Sequence, residues 1–216
     1  MRVLTMATAK GGTGKSTLAA GLAVAAVQSG EKVYLIDLDP QESLLTWAKQ
    51  REVDEPGVDR CSIDQIEPAL AGLRRKGYTL AILDTAGMDN AASAEAMKLA
   101  DFVLVPARPS ALDINGAKPT VAALIELQKN FAFVANCCPA GKIARVDDAS
   151  RALVLFGGLA KPVIVQRADH MDAMALGLGV TEFNPAGKAA EEIRALWGWV
   201  KRSMRDDHTA RAAAAV

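Results

Sequence analysis

The sequence predicts an α/β protein with a doubly wound, mainly parallel β-sheet flanked by helices. Short apolar runs alternate with helical segments along the 216 residues, as expected for parallel strands joined by crossover helices. A glycine-rich loop, Lys10–Thr17, separates the first apolar run from the first helical segment. Half of the residues are hydrophobic, which is enough for a core on both faces of such a sheet.

The strands are predicted where apolar residues run between polar turns. In chain order these runs are Val3–Ala7, Val33–Asp37, Tyr78–Asp84, Phe102–Pro106, Phe131–Ala135 and Val163–Val165, with a further short strand around Arg60–Ile63.

The helices are predicted between these runs, where capping residues and helix-ending glycines frame the segments. They are Leu18–Val27, a segment from Ser43, Asp64–Lys76 with Asp64 as its cap, Ala91–Leu99 after Asp89 and Asn90, Asp113–Gln128, Asp147–Phe156 and Pro185–Met204.

The composition bounds the kind of protein. Lys+Arg and Asp+Glu both number 25, so the formal charge is zero. That balance argues against coating nucleic acid through overall charge, although it leaves room for a local basic patch. The three cysteines supply neither a disulfide framework nor Cys-x-x-Cys spacing. With no secretory signal and no apolar stretch long enough for a bilayer, we expect a cytoplasmic protein.

The loop Lys10–Thr17 carries the chemistry of a phosphate site. Its glycines, Gly11, Gly12 and Gly14, allow backbone angles that let successive N–H groups point at phosphate oxygens, and the helix N-terminus adds partial positive charge. Lys15 is expected to reach the β- and γ-phosphates, and Ser16 to offer its hydroxyl to Mg²⁺.

The loop departs from the usual Gly-x-x-x-x-Gly-Lys-Ser/Thr pattern because Ala9 stands at the first glycine. Lys-Gly-Gly-Thr-Gly-Lys-Ser-Thr resembles the deviant phosphate loop of the ParA/MinD family of ATPases. In that family a signature lysine, here Lys10, opens the loop. The resemblance implies that all residues from Lys10 to Thr17, Thr13 included, contact ATP. It also implies that Lys10 crosses to the phosphates of a second subunit in an ATP-sandwich homodimer.

Asp37 and Asp39 follow the second strand, two residues apart, so they would face the same way in a continuing strand. Asp-x-Asp-Pro-Gln resembles the second nucleotide motif of the ParA family. By that resemblance Asp39 positions the water that attacks the γ-phosphate, and Asp37 lies near Mg²⁺. Both aspartates also suit the start of the helix near Ser43, and that alternative stays open.

Asp84 ends an apolar strand, which is the Walker B arrangement of a magnesium-binding carboxylate. Asp84-Thr85-Ala86-Gly87 also matches the Asp-x-x-Gly element of GTPases. The guanine-specific Asn/Thr-Lys-x-Asp element is missing, however, and Asn136 ends the later strand where ParA-like proteins place an adenine-binding asparagine. The resemblance therefore favours ATP with Mg²⁺ over GTP.

The resemblance extends over residues 1–204, and a late Ile-x-x-Arg segment ends at Arg167. We expect one ATPase domain, residues 1–205, and a short flexible tail, residues 206–216. Asp113 is either a residue of the dimer interface or the cap of its helix. The apolar stripe of the last helix, which includes Ile193, Trp197 and Val200, either packs on the sheet or serves as a membrane anchor, and packing is favoured.

The function implied by the resemblance is ATP hydrolysis coupled to partition or cargo positioning. The ATP-bound dimer would bind DNA of the nucleoid without sequence specificity, and a ParB-like or other cargo-adaptor protein would stimulate hydrolysis. Two alternatives are a MinD-like membrane-associated regulator and a metabolic enzyme with a second substrate. The candidate DNA contacts are Arg167, Lys188, Lys201, Arg202 and Arg205.

Overall fold

Seven parallel strands form one sheet in a computed structural model, which describes residues 1–87 and 90–214. The strands of this described part are β1 (Arg2–Met6), β2 (Val33–Asp37), β3 (Gly57–Arg60), β4 (Leu80–Asp84), β5 (Phe102–Ala107), β6 (Phe131–Ala135) and β7 (Gly158–Leu159). Their order across the sheet is β3-β2-β4-β1-β5-β6-β7. The doubly wound parallel sheet expected from the sequence is confirmed.

Helices connect the strands and cover the sheet. They are α1 (Lys15–Gln28), α2 (Ser43–Lys49), α3 (Ile66–Arg75), α4 (Ala91–Leu99), α5 (Ala111–Gly116), α6 (Lys118–Glu126), α7 (Ile143–Val154), α8 (Ala168–Ala175), α9 (Val180–Phe183) and α10 (Lys188–Ala214).

The core lies on both faces of the sheet because successive strand residues point to opposite sides. In β1, Leu4 and Met6 pack into one cluster with α1 and α10, whereas Val3 packs into another with α3. This two-sided burial explains why β1, β4 and β5 read as continuous apolar runs. It also leaves the carboxyl ends of the strands as the place for polar chemistry.

The last helix packs its apolar stripe against this core. Ile193, Leu196 and Val200 are fully buried, and Trp197 donates its ring N–H to Ser29 Oγ at 2.8 Å. The stripe is therefore unavailable as a membrane anchor. α10 also runs past its expected end near Met204 to Ala214, with residues 215 and 216 outside the described part. None of the helices in the described ranges has the length and apolar character to cross a membrane.

The prediction of a sixth strand at Val163–Val165 is wrong. That segment makes only an isolated bridge, between Cys138 and Val165, and the edge strand is β7 instead. Pro162 has no N–H to donate to a ladder, so regular pairing ends before it. The short strand expected around residues 60–63 lies earlier, at β3.

Several expected helix starts also differ: α7 begins at Ile143 rather than at Asp147, and α10 at Lys188 rather than at Pro185. Ser110, not Asp113, caps α5 by accepting from the Asp113 N–H, and the expected single helix divides into α5 and α6. Pro119, near the start of α6, lacks the N–H that a continuous helix would need.

The cap predicted at Asp64 lies two residues after the observed cap, Ser62. Ser62 precedes a 3-10 turn, Ile63–Gln65, and the Gln65 side chain accepts from the Ser62 N–H at 3.4 Å. Asn90 does cap α4, accepting from Ser93 N at 2.7 Å, and Asp89 lies outside the described residues.

Candidate nucleotide-binding site

The loop between β1 and α1 has the backbone that its glycines predict. Gly12 and Gly14 have φ angles of 72° and 87°, in the left-handed region that favours glycine. Gly14 is the residue before α1, and Lys15 is the first residue of the helix. The N–H groups of the first helical turn therefore open toward the loop.

Three neighbouring segments hold this loop in place. The buried Asn136 side chain donates from Nδ2 to the Thr13 carbonyl at 2.7 Å, and the Arg108 guanidinium donates to the Gly12 carbonyl. On the opposite side, a Cβ added to Gly87 would lie only 2.9 Å from the Cα of Gly11. The loop is thus pre-shaped by segments that follow β4, β5 and β6.

Asp84 is fully buried at the end of β4, and neither of its carboxylate oxygens has a hydrogen-bond partner among the residues that the structure describes. Burial raises the pKa of Asp84 to about 7; Asp37 and Asp39 add to the rise, while Ser16 and Lys15 oppose it. The Ser16 hydroxyl is near enough to favour the charged form without meeting hydrogen-bond geometry. A buried carboxylate without partners is a group that a bound cation would satisfy.

Lys15 is also buried, with 6% of its surface exposed. Desolvation lowers the pKa of its ammonium group, and the nearby carboxylates of Asp84 and Asp39 act in the opposite direction. An ammonium group that has lost its water gains most from a strongly anionic ligand. Its environment therefore suits a phosphate.

Asp37 serves the helix-start role that the sequence left open. It is fully buried and accepts from the N–H groups of Asp39, Leu44 and Leu45 at 3.0, 3.0 and 3.3 Å. Burial raises the pKa of Asp37, and these three hydrogen bonds oppose the rise. Asp37 pairs in register with Asp84 on the adjacent strand. Its role as a metal ligand stays a prediction.

A cavity of about 780 Å³ brings most of the predicted site together. Its lining includes Asp39 and the loop residues Gly11, Gly12, Gly14, Lys15, Ser16 and Thr17. Asp39 is half-buried, and its Oδ1 accepts from the Gln41 N–H at 3.0 Å. Five residues predicted to bind the nucleotide or the metal do not line this cavity: Lys10, Thr13, Asp37, Asp84 and Asn136.

The residues present fit Mg²⁺ held jointly by protein and phosphate. Within the described ranges, no group of three His, Cys, Asp or Glu side chains is placed to hold a metal by itself. Mg²⁺ typically takes one or two carboxylates and completes its shell with water and substrate phosphates. Asp84 and Ser16 match that limited protein contribution.

Lys10 is held within its own subunit. Its Nζ lies 3.1 Å from Asp113 Oδ2, and the Ser110 hydroxyl donates to the same oxygen. A Cβ added to Gly116 would touch the Lys10 stem, so the side chain lies along α5. The Asp113 carboxylate is nearly buried, whereas Lys10 is substantially exposed.

The five predicted DNA contacts are not equivalent. Arg167 is paired with Glu192 at 2.6 Å, and Lys201 with Glu31 at 2.8 Å. Lys188, Arg202 and Arg205 are exposed. The structure gives Arg167 and Lys201 intramolecular partners that the sequence did not reveal, so the exposed Lys188 and Arg202 become the better candidates.

Sequence reasoning assigned no role to Met171, Met174 or Arg108. The two methionines line the cavity from α8, and their spacing of three residues, which places both on one helix face, was the available signal. Arg108 follows β5 and reaches the loop only through the tertiary fold.

The sheet order, the glycine loop at the start of α1 and the buried Asp84 on the neighbouring strand define a P-loop nucleotide-binding protein. Residues 4–196 match the model of the CobQ/CobB/MinD/ParA nucleotide-binding domain. The chain belongs to this family, as a ParA/MinD-type ATPase.

Known relatives agree with this assignment. The chain is 34% identical over 218 residues to the maintenance of carboxysome distribution protein A of Gloeobacter kilaueensis, covering 95% of each. The MinD cell division protein of Aquifex aeolicus superposes with a TM-score of 0.77 at 20% identity, covering 93% of this chain and 97% of that one. MinD of Pyrococcus horikoshii, complexed with Mg-ADP, gives 0.72 at 16% identity, with coverages of 95% and 98%. Both MinD structures have the same fold as this chain.

Proposed function

We propose that this protein is a ParA-like ATPase that forms an ATP-sandwich dimer, binds nucleoid DNA without sequence specificity and hydrolyses ATP to partition or position an intracellular cargo. The observation that carries the nucleotide chemistry is the buried carboxylate of Asp84 beside Lys15 and Ser16, which has no hydrogen-bond partner in the described part of the chain. A cation between this carboxylate and a phosphate would satisfy all of these groups at once.

The glycine-rich loop binds the phosphates of the nucleotide. The N–H groups around Gly12 and Gly14 and at the start of α1 donate hydrogen bonds to phosphate oxygens, and the desolvated Lys15 ammonium supplies positive charge. Asn136 and Arg108 keep the loop in this shape before a ligand arrives. By family resemblance, Asn136 also contacts adenine.

Ser16 and Asp84 would hold Mg²⁺, with Asp37 close by on the adjacent strand. The ion supplies neutralisation of the charge that develops on the transferred phosphoryl group. The Mg-ADP bound to MinD of Pyrococcus horikoshii supports Mg²⁺ together with an adenine nucleotide as the ligands of this site.

Asp39 orients the attacking water. It lies in the same cavity as Lys15, and the hydrogen bond from Gln41 to Oδ1 fixes the carboxylate and leaves Oδ2 to accept from water. Phosphoryl transfer to water requires mainly positioning and charge stabilisation. The residues of this cavity provide both.

Dimerisation gives Lys10 its role. Released from Asp113, Lys10 reaches the phosphates of the partner subunit, so that ATP controls association. The dimer then presents exposed basic residues from both subunits, among them Lys188, Arg202 and Arg205, as one DNA surface. A ParB-like or other adaptor bound to the cargo stimulates the slow hydrolysis.

The relatives bear on the kind of cargo. The protein from Gloeobacter kilaueensis, named for carboxysome distribution, supports the positioning of an intracellular body as well as the partition of DNA. The buried apolar stripe of α10 disfavours the membrane-associated alternative.

Phosphate release from ATP tests the chemistry. Asp39→Ala should bind ATP normally while turnover falls by about 100-fold, as expected for loss of a residue that positions the nucleophile. Lys15→Ala should lose ATP binding. Lys49→Ala and Asp54→Ala, at exposed positions, are the matched controls and should behave as the wild type. Undiminished turnover by Asp39→Ala would remove Asp39 from the reaction.

A further inference from the structure

A second groove, of about 1280 Å³, lies between α7, the segment that follows β7, and α10. It is larger than the nucleotide cavity and shares no lining residue with it. It also exceeds the volume typical of small-molecule pockets, about 300–1,000 Å³. Its size suits a macromolecular segment better than a metabolite.

The floor of this groove is apolar. Val154, Leu159 and Trp199 contribute to it, and Trp199 is fixed by an edge-to-face contact with Phe102, with ring centroids 6.1 Å apart. Val154, the last residue of α7, is 57% exposed, and Leu155, which follows it, is 84% exposed. Contiguous exposed apolar surface of this kind marks protein interaction sites.

The rim of the groove is basic. Arg151, Lys161, Arg194 and Arg202 line it, against one acidic residue, Asp147. None of the four cations forms an ion pair with a residue in the described part of the chain. In a chain with no net charge, this local excess is a specific feature of the groove.

The apolar floor and the basic rim together distinguish between possible occupants of the groove. Duplex DNA would engage the cations through its phosphates, but it would cover the apolar floor without any complementary surface. An amphipathic helix offers a complement to both parts of the groove. Its apolar side chains would enter the groove, and acidic residues on its flanks would contact the basic rim.

We infer that this groove docks an acidic, amphipathic segment of a partner protein. Val154, Leu159 and Trp199 receive its apolar face, and Arg151 and Lys161 pair with its carboxylates. The docking does not depend on the proposed ATP hydrolysis, because no residue of the nucleotide cavity takes part in it.

The test is selection from a displayed library of random 16-residue peptides on the wild-type protein, after depletion on the charge-reversed variant Arg151→Glu/Lys161→Glu. The recovered peptides should be acidic, with apolar residues at helical spacing. Measured by fluorescence anisotropy, their affinity should fall at least tenfold for the charge-reversed variant and for Val154→Asp. The double variant Arg74→Glu/Arg75→Glu carries the same charge change on exposed residues of α3 and should bind as the wild type.

Recovery of no peptide, or of peptides that are neutral or basic, would overturn the inference. So would acidic peptides that bind Val154→Asp or the charge-reversed variant as well as they bind the wild type. Random-sequence duplex DNA forms the second arm. Loss of DNA binding in the charge-reversed variant, with no acidic peptide recovered, would assign the groove to nucleic acid instead. Thermal unfolding of each variant verifies that it is folded.

Discussion

Lys10 Nζ lies 3.1 Å from Asp113 Oδ2, so the lysine that is proposed to cross to a second subunit is paired within its own. The Ser110 hydroxyl donates to the same carboxylate and fixes it at the start of α5. Lys10 must leave Asp113 before it can reach a partner's phosphates. The ion pair therefore opposes dimerisation by roughly its own free energy, ~1 kcal/mol for a partly exposed pair.

Asp113→Asn should make ATP-driven dimerisation easier. Asparagine keeps an oxygen for the Ser110 hydroxyl but removes the charge that holds Lys10. Each dimer releases two such pairs, one per subunit, so we expect the protein concentration for half-dimerisation with ATP to fall about 30-fold, the equivalent of ~2 kcal/mol. Sedimentation velocity with ATP measures this concentration. Lys10→Ala is the companion variant and should abolish the dimer while ATP binding persists.

An unchanged or higher half-dimerisation concentration for Asp113→Asn would contradict this role. In that case Asp113 would not restrain Lys10, and a contribution of the carboxylate to the interface itself would become the better account.

Asp84→Asn should stabilise the ligand-free protein at alkaline pH. The folded pKa of about 7 lies above the usual value of 3.8, so the folded state retains a proton that the unfolded state has lost. The stability that this proton gives is present below pH 4 and lost as the pH rises toward and through 7. Asparagine cannot ionise, so the variant does not lose this stability as the pH rises. We expect its Tm at pH 8 to exceed that of the wild type by several degrees, since ~1 kcal/mol corresponds to about 2–4 °C in a domain of this size.

The same variant should lose the Tm increase that Mg²⁺ and ATP give the wild type, because the buried carboxylate is the proposed metal ligand. Differential scanning calorimetry at pH 5 and pH 8, with and without Mg-ATP, gives both results. Equal Tm values of the two proteins at both pH values would mean that Asp84 is not strained by burial.

Gly14→Ala should impair nucleotide binding, whereas Gly30→Ala should affect only stability. Both glycines have left-handed φ angles, 87° and 86°, so either substitution costs about 1–2 kcal/mol of backbone energy. Only at Gly14 would the added methyl group overlap the Asn136 side chain and displace the loop. We expect ATP affinity to fall at least tenfold for Gly14→Ala alone, measured by isothermal titration. Similar losses in both variants would show that general stability, not loop shape, governs binding.

Asn136→Ala separates two roles of one side chain. The structure shows its amide holding the Thr13 carbonyl, whereas the adenine contact is inferred from resemblance. Removal of a buried hydrogen bond worth ~1 kcal/mol should lower the affinity for ATP and the affinity for inorganic triphosphate by a similar factor, about fivefold. Competition titrations with the two ligands measure the factors. A loss confined to ATP would contradict loop support and favour base recognition.

The sequence was most informative where chemistry is local. The glycines that set the backbone of the loop lie within a few residues of Lys15, and the alternation of apolar runs with helices is enough to predict a parallel sheet. The neighbouring positions of Asp37 and Asp84 also follow, because parallel strands end at one edge of the sheet.

Contacts between distant segments could not be predicted in the same way. The pairing of Lys10 with Asp113, of Arg167 with Glu192 and of Lys201 with Glu31 depends on tertiary placement. Residue types alone left Asp113 as a cap or an interface residue, because a carboxylate near a helix start suits both. The edge strand at β7 is only two residues long and too short to leave a periodic pattern.

Binding of the purified protein to random-sequence DNA, with ATP, with ADP and without nucleotide, tests the central claim most directly. The account predicts tight binding with ATP alone, weakened by moderate salt because phosphate contacts release counterions, and absent in Lys10→Ala. DNA binding that is equal in all three nucleotide states, or an ATP-induced dimer that binds no DNA at low salt, would contradict it.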